Sequence, residues 1–417
     1  MERAKLIVKN FGPLKDIEIE VREMVTFIGA QASGKSTLAK LISIFEDESF
    51  RKDDAVSFEE ELKKYNMHSY LKDDSFIIYR NTNQNYFYEF NLSKKKINKI
   101  NIRENLKALF YDFEKNNMKH EIFFEDLDKI IFKTERLKKL FFNEFFRLLN
   151  QIAENIKLKI DFVKKIDFFF IEYEKLLAKY DVFVLFDSLY IPAERNFLHL
   201  IAENTLGLIN NNVQIPKHLL NSGQDYEKAL QTIKELPLNI IDKKIKYKRE
   251  GKTSYIYHNQ NEKVDLLESA SGLQSVIPVL LLVEYAKSLK DKYNFNFVVE
   301  EPELNLYPKA QNELIKYLVA NCLEDRKNLI LTTHSPFVLA SLNNLLLAYD
   351  KGQTRPKEVS KTIKKESWLN PKNFIAYQLK NGKAFKIMDD KLGQIKENMI
   401  DSVSDSFSDE FSKLLNL

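Results

Sequence analysis

Residues 29–36 read Gly29-Ala30-Gln31-Ala32-Ser33-Gly34-Lys35-Ser36, which fits the pattern G-x-x-x-x-G-K-[ST] without a mismatch. The stretch follows a continuous apolar run, Met24 to Ile28, of the kind expected for a strand buried on both faces. A helical pattern comes directly after it. The sequence therefore predicts a strand, a glycine-containing loop and a helix, the setting in which backbone N–H groups cradle phosphates.

Single residues of this loop have separate expected tasks. We expect Lys35 to neutralise the β and γ oxygens of a nucleotide and the Ser36 hydroxyl to bind Mg²⁺, with Thr37 assisting from the next position. The alternative is an ordinary glycine turn before an amphipathic helix, with an incidental lysine. The motif alone does not identify the class of P-loop protein.

A second apolar strand ends in two carboxylates, in the stretch Phe297-Val298-Val299-Glu300-Glu301-Pro302-Glu303. Because α/β folds hold ligands at the carboxyl ends of their strands, we expect Glu300 to hold Mg²⁺, directly or through water, and Glu301 to orient the attacking water. Adjacent side chains on a strand point in opposite directions, so Glu301 must lie just past the strand end. The alternative is a loop of solvated acids.

A third apolar strand, Leu329 to Thr333, is followed by His334. A lone histidine after a strand is more often structural. Its position after the paired glutamates instead favours a donor to the γ-phosphate.

A fourth stretch, Ser269-Ala270-Ser271-Gly272-Leu273-Gln274-Ser275, precedes the apolar run Val276 to Val283. Ser271 and Gly272 would begin a helix whose free N–H groups and positive dipole end suit an anionic phosphate. Since residues 29–36 already cradle phosphates, a second cradle makes sense if it serves the ATP held by another subunit. The alternative is an ordinary serine-capped helix.

In this order the four motifs resemble an ATP-binding-cassette (ABC) head. Walker A corresponds to residues 29–36, the signature to Ser269, Ser271, Gly272 and Gln274, Walker B to Phe297 through Glu300 with the catalytic Glu301, and the switch histidine to His334. More narrowly, four stretches resemble the OLD-like ATPases of the AAA-fifteen or AAA-twenty-one type: Asn10-Phe11-Gly12-Pro13, Tyr190-Ile191-Pro192-Ala193-Glu194-Arg195, residues 300–308 and Thr332-Thr333-His334-Ser335-Pro336. RecF and the SMC proteins are more distant relatives.

The resemblance implies an ATP hydrolase that uses ATP and Mg²⁺ and completes its sites in a head-to-head homodimer or higher oligomer. The chain also resembles stand-alone ATPases such as the subunits of PARIS-type and Septu-type phage defence. This resemblance implies a separately encoded, nuclease-like effector. The chain departs from the pattern in its signature, Ser-Ala-Ser-Gly-Leu-Gln, and in Glu300 where most ABC proteins have Asp. A Q-loop glutamine is not identifiable, and Arg195 corresponds to that region only loosely. Fewer than 85 residues follow His334 and hold no Glu plus Asp-x-Asp set, so no TOPRIM nuclease is expected.

Composition narrows the classes of protein. A net charge of +4 permits a nucleic-acid contact without indicating one. A single cysteine, Cys322, excludes an internal disulfide framework, and the longest apolar run is too short for a membrane helix. We therefore expect a cytoplasmic protein with no membrane segment.

The patterns predict an α/β fold, an ABC-type ATPase head with a mixed sheet and an antiparallel β-subdomain. We expect the head in two parts, 1–100 with Walker A and 181–350 with the other motifs, around a helical insertion at 101–180. Residues 351–417 are expected to form a hairpin around Asn381-Gly382 and a solvated terminal helix over 401–410.

Three other functions are alternatives to that of an ATPase that regulates an effector. A RecF-like or SMC-like ATPase for DNA maintenance would use the same head to hold duplex DNA and would bind it with strong salt dependence. A transporter's ATPase subunit is disfavoured by the long helical insertion and the Glu-Glu-Pro-Glu motif. A P-loop kinase explains neither the signature nor His334.

Overall fold

The computed structural model describes residues 4–47, 50, 56–81, 86–91, 96–100, 187–210, 213, 215–259, 261–289, 295–323 and 328–416. The strands are β1 Ala4–Phe11, β2 Leu14–Val21, β3 Met24–Gly29, β4 Phe76–Asn81, β5 Tyr86–Asn91, β6 Lys96–Ile100, β7 Asp187–Ile191, β8 Glu235–Pro237, β9 Lys246–Glu250, β10 Thr253–Tyr257, β11 Lys263–Asp265, β12 Phe295–Glu300, β13 Leu329–Thr333, β14 Phe374–Lys380, β15 Lys383–Lys386, β16 Met388–Asp389 and β17 Gln394–Ile395. The helices are α1 Lys35–Glu46, α2 Phe58–Lys64, α3 Leu198–Asn210, α4 Lys217–Thr232, α5 Ser271–Ser288, α6 Pro308–Cys322, α7 Pro336–Gly352, α8 Pro356–Ser360 and α9 Met399–Leu415.

The central sheet has six strands in the order β15-β14-β3-β13-β12-β7. Strand β3 pairs in parallel with β13 on one side and β14 on the other, and β12 pairs in parallel with β13 and β7. Every residue of β3 is buried, which explains its continuous apolar run. Only β15, at one edge, runs antiparallel to its neighbour.

A second sheet, wholly antiparallel, has the order β2-β1-β4-β5-β6. Its first two strands form a meander around Gly12, and β4 pairs with β5. The prediction of a mixed sheet with an antiparallel β-subdomain is confirmed.

A carboxylate at the end of α1 links the two sheets. The hydroxyl of Tyr79 on β4 and the Nδ2 amide of Asn296 on β12 both donate to Glu46, the latter at 2.8 Å. Glu46 is only 1% exposed. Because a buried carboxylate is costly without partners, these donors fix the antiparallel sheet against the helix that follows the P-loop.

Two predicted hairpins are present. Strands β9 and β10 pair around Gly251, and β14 and β15 pair around Asn381-Gly382. The second hairpin packs on β2, since the Gly382 carbonyl accepts from the N–H groups of Lys15 at 2.9 Å and Asp16 at 3.1 Å.

The terminal helix α9 contains the predicted helix over 401–410, and the described residues from Ser402 onward are exposed. The predicted insertion at 101–180 and the predicted strand at 182–186 lie outside the described residues. The domain boundaries stay predictions. Within the described ranges, the helices are too short or too polar to cross a membrane.

Candidate nucleotide site

The parallel strands bring three motifs to one edge of the central sheet. Strand β3 ends at Gly29, β12 at Glu300 and β13 at Thr333, and the register places Thr333 beside Ile28 and Thr332 beside Glu300. The loops that follow these strands contain the P-loop, Glu301 and His334. Strands of equal direction necessarily gather their carboxyl ends in this way.

In the P-loop, Lys35 opens α1 and turns back over the loop. Gly34 immediately before it has φ of 99°, a left-handed conformation that glycine adopts without a steric cost. The Lys35 ammonium donates to the carbonyls of Gly29 and Ala30, both at 2.9 Å. Its side chain therefore lies over the cradle that the motif forms for phosphates.

Burial lowers the pKa of Lys35, and the nearby carboxylates of Glu301, Glu303 and Glu300 act against this shift. Three carboxylates thus act electrostatically on one ammonium group. This balance of charge suits a site where additional negative charge arrives with a divalent cation.

The rest of the loop divides into an exposed tip and a buried base. Ala30, Gln31 and Ala32 are exposed, and Ala32 has φ of 57°. The Ser33 hydroxyl is buried and finds no hydrogen-bond partner among the described residues, while Thr37 is buried in α1. The tip is accessible to a ligand, as its predicted role requires.

Glu300 lies at the end of β12 and is 3% exposed. Burial raises the pKa of its carboxyl, whereas Lys40 and the Ser36 hydroxyl lower it. Its Oε1 atom finds no hydrogen-bond partner among the described residues. A buried carboxylate oxygen without a donor is a suitable ligand for a cation.

A magnesium ion fits this arrangement of donors. Mg²⁺ is commonly held by one or two carboxylates together with substrate phosphates, and Glu300 and Ser36 would supply the protein oxygens here. Among the described residues, no group of three His, Cys, Asp or Glu side chains assembles into a metal cage. The ion would therefore need the nucleotide to complete its coordination.

Glu301 and His334 contact each other, with 3.3 Å between Oε1 and Nε2. Both side chains remain about one-third exposed, at 30% and 35%. Glu301 has φ of 43°, and its N–H donates to the Thr332 carbonyl at 2.9 Å. This turn carries the carboxylate past the strand end, as predicted, and aims it at the histidine.

The motifs in the sequence assign no role to Glu303, the third acid of Glu-Glu-Pro-Glu. Its Oε1 atom accepts from the Thr333 hydroxyl and the His334 N–H, both at 2.7 Å. Burial raises the pKa of this carboxyl, and these donors lower it. Glu303 therefore ties the loop after β12 to the loop after β13. The presence of a third acid in Glu-Glu-Pro-Glu was the feature of the sequence that could have indicated this role.

The signature residues begin α5, and Ala270 caps this helix without a side-chain hydrogen bond. Ser271 is exposed, while Gly272 packs so closely on the Asn305 carbonyl that an added Cβ would lie 2.7 Å from it. The first N–H groups of the helix have no intrahelical acceptor. The start of α5 at Ser271 and Gly272 therefore offers N–H groups of the kind that can bind an anion.

Two other signature side chains bond to their own chain. The Gln274 amide donates to the carbonyls of Leu267 and Ser269, both at 2.9 Å, and the Ser269 hydroxyl donates to the Leu266 carbonyl at 2.7 Å. In this conformation they brace the loop before α5. Their predicted contacts with nucleotide stay predictions.

Arg195 lies behind both the signature and the Walker B turn. Its guanidinium donates to the carbonyls of Ser275, Glu300 and Glu301 at 2.9, 2.8 and 2.7 Å. The sequence placed it in the Q-loop region without a task. Its place in the stretch Tyr190 to Arg195, which is part of the resemblance, was the available signal.

The edge described above has the organisation of a P-loop ATPase, with a head of the ABC-like class. The chain belongs to the AAA-fifteen family, whose model, described as an AAA ATPase domain, matches residues 1–339. This family membership confirms the predicted AAA-fifteen type and the ATPase class.

Among solved structures, the chain is similar to SMC head domains. The Smc head domain of Pyrococcus furiosus with an extended coiled coil, bound to the C-terminal domain of ScpA, is 12% identical, with a TM-score of 0.37 over 93% of this chain and 96% of that chain. The SMC head domain from Thermotoga maritima is 11% identical, with a TM-score of 0.38 over 93% and 98%. A search of curated proteins found no match.

Proposed function

We propose that the chain binds and hydrolyses ATP at a composite site between two head-to-head copies. The observation that carries this proposal is the split arrangement of the motifs. Lys35, Glu300, Glu301 and His334 meet at the sheet edge, whereas Ser271 and Gly272 stand at the start of α5, where Ser271 is exposed and the rest of the helix packs mainly on other helices. A second copy would bring its own helix start to the phosphates.

Each residue at the sheet edge has a task in this reaction. The P-loop N–H groups and the Lys35 ammonium hold the phosphates, and Ser36 and Glu300 hold Mg²⁺. The ion supplies charge neutralisation at the β and γ oxygens when bound. Glu301 orients the attacking water, and the contact of 3.3 Å with His334 keeps both groups directed at the γ-phosphate.

The exposed helix start contributes from the other copy. Its N–H groups and dipole favour the γ-phosphate, which ADP lacks. ATP therefore stabilises the closed pair more than ADP does, because only ATP contacts both halves. Nucleotide state becomes a signal that a partner protein can detect.

We further propose that this signal regulates a separately encoded effector in phage defence. Helix α9 supports a protein partner, since it exposes four large apolar side chains along one side: Val403, Phe407, Phe411 and Leu414. Contiguous exposed apolar surface commonly marks an interaction site. The effector role also extends the resemblance to stand-alone ATPases.

The first test is mass in solution by light scattering for Glu301→Gln, with and without ATP and Mg²⁺. We expect ATP to raise the mass, because the variant binds nucleotide without turning it over. Adding Ser271→Arg should abolish the rise by obstructing the helix start. Ser288→Arg, at the exposed far end of the same helix, is the matched control and should preserve the rise.

Lys35→Ala tests the P-loop in the same protein. We expect this variant to lose stable ATP binding and Glu301→Gln to retain it. Equal ATP affinity and turnover in both variants and the parent would contradict the site assignment. An ATP-dependent rise that survives Ser271→Arg would contradict the composite site alone.

A further inference from the structure

We propose that Arg195 is a positioning residue that couples the two nucleotide sites of the dimer. This inference rests on the composite site proposed above. In that dimer, each chain contributes Glu301 to one site and its helix start at Ser271 to the other. Within a single chain, Arg195 connects the backbone at Glu301 to the backbone at the start of α5.

The geometry of this join is specific. Arg195 is 0% exposed, and its Nε donates to the Ser275 carbonyl in the first turns of α5. Its Nη1 and Nη2 atoms donate to the carbonyls of Glu300 and Glu301, and Nη1 also donates to Pro192 at 3.3 Å. Since a guanidinium is planar and rigid, these three segments are held at fixed mutual positions.

The positive charge of Arg195 strengthens these hydrogen bonds. Burial lowers the pKa of its guanidinium to about 10, while the carboxylates of Glu303, Glu301 and Glu300 act to raise it. The group therefore stays protonated at neutral pH. Hydrogen bonds from a charged donor are about twice as strong as those between neutral groups.

A proline leaves one carbonyl of α5, that of Gln274, without its helical donor. Pro278 lies inside the helix and lacks an N–H, so the Gln274 carbonyl one turn earlier receives no helical hydrogen bond from it. The His199 Nε2 atom contacts this carbonyl at 2.9 Å, and the Tyr226 hydroxyl contacts its Nδ1 at 2.9 Å. Burial lowers the pKa of His199, which favours a neutral ring whose Nε2–H donates to this carbonyl and whose Nδ1 accepts from the Tyr226 hydroxyl.

Arg195 and His199 therefore hold two successive carbonyls of the signature helix from one short segment. The Walker B turn that Arg195 also holds contains Glu301, with its left-handed φ of 43°. A non-glycine residue in this region is strained, and such strain persists where surrounding contacts maintain it. A shift of the Glu301 peptide on ATP binding would displace the start of α5, and so alter the partner's site.

The test is the ATP dependence of hydrolysis in Arg195→Lys. Lysine keeps the charge but cannot donate to three separated carbonyls at once. Protein concentration is raised until the curve no longer changes with it, so that association itself adds no cooperativity. We expect a Hill coefficient above 1 in the parent and of about 1 in the variant, with the ATP-dependent rise in mass retained.

Arg22→Lys is the matched control. Arg22 also donates to two backbone carbonyls, of Pro371 at 3.2 Å and Phe374 at 3.0 Å, at the amino end of the sheet. We expect it to keep the parent's Hill coefficient. A merely structural role of Arg195 would lower turnover or stability and leave the coefficient unchanged, which would overturn the inference.

Two further outcomes are decisive. A parent dimer with a Hill coefficient of about 1 overturns the coupling but not the composite site, whereas a Glu301→Gln protein that gains no mass with ATP overturns both. If Arg195→Lys fails to fold, Arg195→Gln replaces it, because its amide can still donate to one of these carbonyls but not to all of them. An unchanged Hill coefficient in folded Arg195→Gln would then reject the proposal.

Discussion

At the scale of single residues, Glu303 shows how one buried carboxylate can organise a site without touching substrate. It receives the Thr333 hydroxyl and the His334 N–H on one oxygen, and Thr333 in turn accepts from the Ser335 N–H at 3.0 Å. Loss of the acceptor would leave these two donors without a partner. The placement of His334 therefore depends on Glu303.

We predict that Glu303→Ala lowers the free energy of unfolding by about 1–3 kcal/mol, because it strands those donors. It should also lower turnover through misplaced His334. Glu303→Gln, which keeps an oxygen at the acceptor position, is the control and should cost less. Urea unfolding and phosphate release measure the two effects, and equal losses in both variants would contradict this role.

The sequence predicted these site residues unevenly. Residues within a spaced motif could be predicted because their task follows from type and position, as for Lys35 or Glu301. Arg195 could not, because its partners are main-chain carbonyls far along the chain, 80 and 105 residues away. Backbone acceptors carry no side-chain signature, so only the folded chain reveals which arginine reaches them.

At the scale of elements, the hairpin of β14 and β15 was predicted from Asn381-Gly382 alone. Both residues adopt left-handed φ, 56° and 77°, which the two-residue turn between these strands requires. The sequence did not predict that the hairpin packs on β2. A Cβ on Gly382 would lie 2.9 Å from the Pro13 carbonyl, so this glycine also permits a close approach.

We predict that Gly382→Ala destabilises the protein more than Gly251→Ala does. Both glycines have positive φ, 77° and 60°, so alanine pays about 1–2 kcal/mol of backbone strain at either. Only Gly382 has atoms within 4 Å of the added carbon, whereas Gly251 faces open space. Urea midpoints for the two variants measure the difference. Equal midpoints would contradict the prediction, because they would show that the hairpin shifts without cost to make room for the added carbon.

At the scale of the whole molecule, stability should depend on buried histidine. Burial lowers the pKa of His218 to about 4, with Lys40 adding to the effect. An unfolded histidine takes up its proton near pH 6.5, so between about pH 6.5 and 4 unfolding binds a proton. The folded chain is therefore expected to lose stability as the pH falls through this range.

We predict that His218→Phe reduces this loss. Phenylalanine keeps the ring stacked on Tyr65, whose centroid lies 5.7 Å away, but has no proton to bind. Urea midpoints at pH 7 and pH 5 give the measurement, and the same replacement at exposed His258 is the control. An unchanged difference between the two pH values in His218→Phe would contradict the assignment.

The position of β3 between β13 and β14 has a consequence for synthesis on the ribosome. The strand that presents the P-loop emerges early, yet its partners are Leu329–Thr333 and Phe374–Lys380, hundreds of residues later. Such distant pairing forms slowly and leaves its first strand exposed in the meantime. The nascent chain thus acquires its nucleotide pocket only after Leu379, which lies beside Gly29, has left the exit tunnel. A ribosome stalled before that point would carry a complete Walker A sequence that has no sheet to hold it.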